Sequence, residues 1–391
     1  MSAVDKRDFP QLDAMRAAAS IAVVATHTGF WSGVYNNGLL GSAAQRLEVG
    51  VAIFFVLSGF LLGRPYVVAT LTDHPHDNAQ RYARKRALRI LPVYWVCVVA
   101  ALTLMPANRG LGIERWFQSF LLIDLYRAQQ LPQGLSQMWS LSVEVAFYLI
   151  LPVAGALMVR CFRRQPGRLL LALAAVSALS IAWVALTHLS SASWAVWATR
   201  WLPSYLTWFA IGIGLAVFSV DALRTARLTS PVVALASDRT ACWISAAAVF
   251  VLVSTPLGGS PLLVAPTAGQ ALTRHVLYAA IALLVVAPCV LGPADTRVAA
   301  VLSMPAVRHV GHLSYSLFCC HVLVLYLVAP RLGFELFQSS WPVLFIVILA
   351  ISLTLSELLY RCVELPFLRW KTGSPWKTSK ASAPSEIATH H

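Results

Sequence analysis

The sequence predicts an all-α polytopic transmembrane helix bundle of about ten spans with both termini in the cytoplasm. Of its 391 residues, 58% are hydrophobic and 12% charged, with a mean hydropathy of +0.69, which is far too apolar for a soluble domain of this length. Apolar runs of about 17 to 25 residues are centred near residues 22, 59, 98, 148, 178, 211, 248, 282, 319 and 352. With the N-terminus inside, 22 of the 30 Lys and Arg fall on the inner side and seven (Arg46, Arg109, Arg115, Arg127, Arg200, Arg274, Arg331) on the outer, Arg16 lying within the first span. A wrong span count would scramble that asymmetry, which is the positive-inside bias of a plasma (inner) membrane protein. It also accounts for the net charge of +14. No RNA-binding signature or zinc-finger spacing accompanies the charge, so nucleic acid is not an expected partner.

The first span, Asp13 to Phe30, holds three ionisable residues where a bilayer-spanning helix should have none: Asp13, Arg16 and His27. Each is a functional hypothesis by default. Arg16 and His27, eleven residues apart, return to within roughly 20° of one helix face, about 16 Å apart along the axis. The structural alternative is an Arg16 that snorkels to the headgroups and a His27 that is a hydrogen-bonded packing residue. Lys6 and Arg7 before an Ala-rich run imitate a signal peptide, but Arg16 interrupts the run and more spans follow, so a retained helix is expected.

The second span carries Phe54-Phe55-Val56-Leu57-Ser58-Gly59-Phe60, in which Ser58-Gly59 lets another helix approach closely. A cytoplasmic loop follows, ending in Arg81-Tyr82-Ala83-Arg84-Lys85-Arg86-Ala87-Leu88-Arg89 before Pro92 and the third span. Five cations in nine residues exceed what orientation requires, and suit anionic lipid headgroups or the phosphates of a nucleotide-like ligand.

The fourth span opens with Trp139 and places Ser140, Glu144 and Tyr148 at intervals of four, on one face. Glu144 and His27 both fall in the outer half of the bilayer. An imidazole and a carboxylate at matching depth make a base and its orienter; two separately satisfied buried polar groups are the alternative. In the ninth span Ser314 and His321, seven apart, share a face. Glu357, Arg361 and Glu364, at the inner end of the last span, allow structural ion pairs. Residues 1–371 form the transmembrane domain, and 372–391, rich in Ser, Lys, Thr and His, a disordered cytoplasmic tail.

The seven cysteines, with no Cys-x-x-Cys and no His/Cys metal spacing, are expected to be small buried residues, without metal or disulfide. Gly134-Leu135-Ser136-Gln137-Met138 fails the nucleophile elbow at its last position, and no P-loop or dinucleotide fingerprint occurs; Gly212-Ile213-Gly214 is an isolated fragment. A base-assisted direct transfer is therefore more economical than a covalent enzyme intermediate. Only five of the 30 cations are Lys and Ala is abundant, a bias that points to a GC-rich bacterium.

Asp13-x-x-Arg16 followed by His27 resembles the Arg-x10-His motif in the first helix of the acyltransferase-3 family of membrane O-acyltransferases. Arg86-x-x-Arg89 before Pro92 is similar to that family's cytoplasmic Arg-x-x-Arg motif. Phe54 to Phe60, Trp139 to Glu144, Ser314 to His321 and Glu364-Leu365-Pro366-Phe367 match its other landmarks in order over nearly the whole chain. Two departures stand out: Phe318-Cys319-Cys320 where the family often has Tyr-Leu-Trp, and no extracytoplasmic SGNH-type hydrolase domain after the last span.

The resemblance implies transfer of an acyl group, acetyl by default, from cytoplasmic acyl-coenzyme A to a hydroxyl of an extracytoplasmic or membrane-bound glycan or glycolipid. It implies His27 as general base, and Arg16 as holding coenzyme A or the thioester carbonyl. Arg86 and Arg89 would grip the coenzyme A phosphates, and Glu144 completes the catalytic set. Arg84, Asp13, Ser58, Ser140, Tyr148 and His321 are the further substrate-binding candidates. Membrane lipids are partners and a homodimer is compatible. The rival class is a proton-coupled transporter or flippase with Arg16, His27 and Glu144 along its path, against which stands the lack of an internal repeat.

Overall fold

A computed structural model describes residues 8–72, 74, 78–127, 130–225, 231–260 and 264–371; the expected tail, 372–391, lies outside them. Ten long helices coincide with the ten expected spans. They are α1 (Gln11–Ser32), α2 (Gly50–Thr72), α3 (Ala79–Leu104), α4 (Met138–Cys161), α5 (Pro166–Leu189), α6 (Leu206–Thr225), α7 (Arg239–Val253), α8 (Ala268–Leu291), α9 (Pro305–Val328) and α10 (Trp341–Leu359). Among the described residues no strand occurs, and the protein is an all-α, multi-pass membrane bundle. Eight of the ten are long and apolar enough to cross a membrane on those criteria alone, rather than all ten; α1 and α7 are the exceptions. The reasons differ. Helix α7 has only 15 residues, whereas α1 has 22, about 33 Å of rise, but is diluted by polar side chains.

That polarity is tolerated because α1 is central. Fifteen of its residues are buried, while α5 has only 17% of its most apolar stretch buried in the protein. Polar groups inside and hydrocarbon outside is the arrangement a bilayer enforces. Contacts at the helix ends agree with an alternating path. Gln11 on α1 accepts from Arg239 on α7 at 3.0 Å, and Asp13 meets Arg308 on α9 at 3.2 Å, all at the end rich in cations. At the opposite end Trp31 Nε1 donates to the Phe334 carbonyl at 3.3 Å. Arg46, expected on the outer side, is fully buried and donates to the carbonyls of Val253, Gly258 and Gly259 at 3.1, 2.8 and 2.6 Å.

Two close crossings set the frame of the site. A Cβ on Gly59 would lie 2.2 Å from the Phe209 carbonyl oxygen, and one on Gly212 2.1 Å from that of Val56, so α2 and α6 cross backbone to backbone. Gly212, an isolated fragment by sequence, is half of this crossing. Likewise a Cβ on Gly311 would meet the Asp13 carbonyl oxygen at 2.2 Å, which holds α9 against α1. The basic cluster is helical and not a loop: Asn78 caps α3 by accepting from the Gln80 N–H at 2.9 Å, and the helix runs through both cluster and span. Five cysteines are buried, but Cys161 and Cys362 are exposed.

Candidate active site

A cavity of about 410 Å³ opens among α1, α2, α3, α4 and α9 at the basic end of the bundle. Eight sequence-selected residues line it: Asp13, Arg16, Ser58, Arg86, Arg89, Ser140, Glu144 and Tyr148. Along α2 the lining runs from Leu62 to Val51, eleven residues or about 16 Å of depth. Helical periodicity explains which cluster cations take part. Arg86 and Arg89 are one turn apart on α3, whereas Arg84, about 200° round from Arg86, is exposed and lies outside the lining.

The cavity pairs its charges. Arg89 meets Glu364 at 2.5 Å; Glu364 is fully buried and accepts from Ser316 Oγ at 2.9 Å. The sequence suggested an ion pair between Glu364 and Arg361, but a π-helical turn over Tyr360–Glu364 shifts the phase and carries Glu364 inward. Arg361 and His309, the latter at 2.7 Å, bind Glu357 instead. Arg16 lies 3.7 Å from Asp13, which also meets Arg308 and His312 at 3.2 and 3.5 Å. Arg86 differs. Its Nε is buried and has no hydrogen-bond partner among the described residues, an orphaned cationic donor on the cavity wall.

Glu144 accepts from Ser58 Oγ and from Tyr148 Oη, one turn on, while Ser140 turns back to the Gln137 carbonyl at 3.3 Å. The expected partnership of Glu144 with His27 does not form. Matching depth says nothing about azimuth, and Glu144 faces the cavity that Arg16 lines. His27 does not line this cavity; Phe54 and Phe318, which do, meet edge to face with ring centroids 6.5 Å apart. Thr26, the neighbour of His27, donates to the Gln45 carbonyl at 3.1 Å, level with the start of α2. The carboxylate just before α2, Glu48, accepts from Tyr278 Oη on α8 at 2.9 Å.

The ring contact of His27 is His321, 5.0 Å between centroids. His27 Nδ1 lies 2.8 Å from the Val23 carbonyl and 3.4 Å from His321 Nε2. His321 Nδ1 lies 3.0 and 2.9 Å from the carbonyls of Leu317 and Phe318. Carbonyls only accept, so the hydrogen-bond network assigns the proton of each ring to Nδ1. His27 then keeps its lone pair on Nε2, and its Nδ1–H is shared with His321 Nε2. Arg308, His312, Glu48 and Glu364 are the neighbours that sequence reasoning left out or misplaced; only the Gly311-His312 pair and the Glu364-Leu365-Pro366-Phe367 run signalled any of them.

A second cavity, of about 370 Å³, opens at the other end of the bundle, and Val51 lines both.

Residues 9–361 match a family model described as an acyltransferase domain. The chain belongs to the acyltransferase-3 family. It is 28% identical over 197 residues to the peptidoglycan O-acetyltransferase OatA of Listeria monocytogenes, a match covering 47% of this chain and 30% of that protein. Over 162 residues it is 29% identical to the putative peptidoglycan O-acetyltransferase YrhL of Bacillus subtilis, covering 38% and 24%. It is 27% identical over 208 residues to Nodulation protein 10 of Rhizobium leguminosarum bv. viciae, covering 45% and 50%. The matched segments thus span half or less of these curated relatives. No solved structure matches the chain.

Proposed function

We propose that this acyltransferase-3 chain is an inner-membrane O-acyltransferase that moves an acyl group, acetyl by default, from cytoplasmic acyl-coenzyme A to a glycan or glycolipid hydroxyl on the far side. The observation that carries the reading is the gathering of Arg16, Arg86 and Arg89 in one cavity at the basic end, with the Arg86 Nε orphaned there. Guanidinium groups grip phosphate oxygens bidentately. The cavity's depth along α2, about 16 Å, suits a pantetheine arm leading inward from them. Two relatives named as peptidoglycan O-acetyltransferases support a cell-envelope glycan as acceptor.

In this mechanism His27 Nε2 takes the proton of the acceptor hydroxyl as its oxygen attacks the thioester carbonyl carbon. The tetrahedral oxyanion collapses, the C–S bond breaks, and the proton passes from His27 to the departing thiolate. Nδ1–H stays on the Val23 carbonyl and His321 Nε2 throughout, so His321 takes the orienting role expected of Glu144. Arg16 holds the donor rather than the oxyanion. It lies about 16 Å before His27 along α1, and helical side chains lean towards the N-terminus, away from His27. Glu144, with Ser58 and Tyr148, shapes the donor channel, and the thioester must pass Phe54 and Phe318.

Acceptor-dependent release of coenzyme A by the purified protein, supplied with labelled acetyl-coenzyme A and a soluble peptidoglycan fragment, tests the reading. Release that requires Arg86 and His27 is expected. Coenzyme A binding that is indifferent to replacing both Arg86 and Arg89 would return the cluster to a lipid-headgroup role and sink the donor assignment.

A further inference from the structure

The cavity at the opposite end is lined by side chains that the donor site leaves unused. Trp139 from α4, Tyr205 from the turn before α6 and Trp208 on α6 form one aromatic wall. Tyr205 lies 5.4 Å from Trp139 and 5.1 Å from Trp208 between ring centroids. His275 stacks on Trp208 at 5.1 Å with ring planes 14° apart. Around this wall stand Arg200 and Arg274, with Glu48 on the inner side. Glu48 accepts from Tyr278 Oη at 2.9 Å and lies 3.9 Å from Arg274. His275 is only 6% exposed, yet its Nε2 has no hydrogen-bond partner among the described residues. A buried polar atom left unsatisfied beside a cavity points to a ligand group.

We propose that this cavity is the acceptor subsite, and that it selects a pyranose carrying an anionic substituent. Three features define that ligand. The electron-rich faces of Trp139 and Tyr205 suit the polarised C–H face of a sugar ring, with Trp208 and the stacked His275 backing them. His275 lines the cavity and carries an unpaired Nε2 for a ring hydroxyl or amide. Arg200 and Arg274 suit a carboxylate or phosphate on the sugar. A volume of about 370 Å³ falls within the roughly 300–1,000 Å³ of small-molecule sites. Because Val51 lines both cavities, a sugar seated here has its inner hydroxyl next to the donor channel.

This assignment rests on the acyltransferase reading above, and the experiment separates the two. The full chain in neutral-lipid nanodiscs is examined by saturation-transfer NMR with three probes: N-acetylglucosamine, N-acetylmuramic acid (the same ring with a carboxylate) and glucose 6-phosphate. Coenzyme A binding is measured on the same samples. The charged sugars are expected to bind about tenfold tighter than N-acetylglucosamine, with strongest transfer to ring C–H protons. Arg200→Ala and Arg274→Ala should erase that advantage, whereas the surface variant Arg331→Ala keeps it; the carboxylate and phosphate arms say which anion is preferred. Equal binding of charged and uncharged sugars, or no binding in a protein that still binds coenzyme A, overturns this proposal alone. Saturation by phosphatidylglycerol nanodiscs in place of sugar would make the cavity a headgroup site and overturn it too. Loss of coenzyme A binding in the wild type would count against the enzymatic reading itself.

Discussion

At the level of single residues, the proposed mechanism turns on which nitrogen of His27 is bare. The Val23 carbonyl, 2.8 Å from Nδ1, fixes that choice from within the helix. Replacing His27 with Gln keeps the size and one polar end but removes the base. Acceptor-dependent acyl transfer is expected to fall about 10²- to 10⁴-fold with coenzyme A affinity unchanged; turnover close to wild type would remove the assignment. Glu364 acts one step back, by holding Arg89. Glu364→Gln is expected to raise the KM for acyl-coenzyme A about tenfold, through loss of one charge-assisted contact, while kcat changes little. A change confined to kcat would contradict that role. The sequence made most of the basic-end cavity legible, because Asp13, Arg16, Ser58, Ser140, Glu144 and Tyr148 are polar groups in apolar spans and Arg86 and Arg89 belong to a dense basic cluster. It could not pair them. Depth along a helix is countable, but azimuth between helices depends on packing, and so depth pairs Glu144 with His27 while the ring His27 meets is His321.

Between helices, the decisive contacts are places where nothing larger than hydrogen fits. Gly59→Ala and Gly212→Ala each push a methyl group into a carbonyl across the α2–α6 crossing. Each is expected to cost about 1–3 kcal/mol and to lower the thermal midpoint in detergent, with activity falling because Ser58 and Phe54 ride on the same helix. An unchanged midpoint would mean that the crossing relaxes without cost. Gly214, two residues on, meets only a leucine methyl group at 3.8 Å, and Gly214→Ala is the matched control. The π-helical turn at Tyr360–Glu364 is the element least accessible to sequence reasoning. Counting at 100° per residue put Glu364 next to Arg361, and one extra residue in the turn sends it to Arg89.

Across the whole molecule, span positions were legible because hydrophobicity integrates over 20 residues and tolerates local error. Ranking the spans by apolarity misleads, since the helix that matters most, α1, is the interior one that can afford polar groups. The expected sidedness has a direct test in the native thiols. Cys161 and Cys362 are exposed and the other five cysteines are buried, and both exposed thiols lie at the basic end. A membrane-impermeant maleimide should label them in inverted vesicles and spare them in intact spheroplasts. The reverse pattern would invert the topology and, with it, the donor side.

The meeting of two cavities at Val51 also concentrates the cell's voltage. In the proposed mechanism, with His27 taking a proton between the two cavities, a membrane potential would fall mainly across the layer that separates them, and moving a full charge through 100 mV is worth about 2.3 kcal/mol. A proton taken up by that imidazole is carried within the steepest part of the field. Turnover in sealed vesicles should therefore respond to an imposed potential, which acyl transfer between two dissolved substrates has no reason to do.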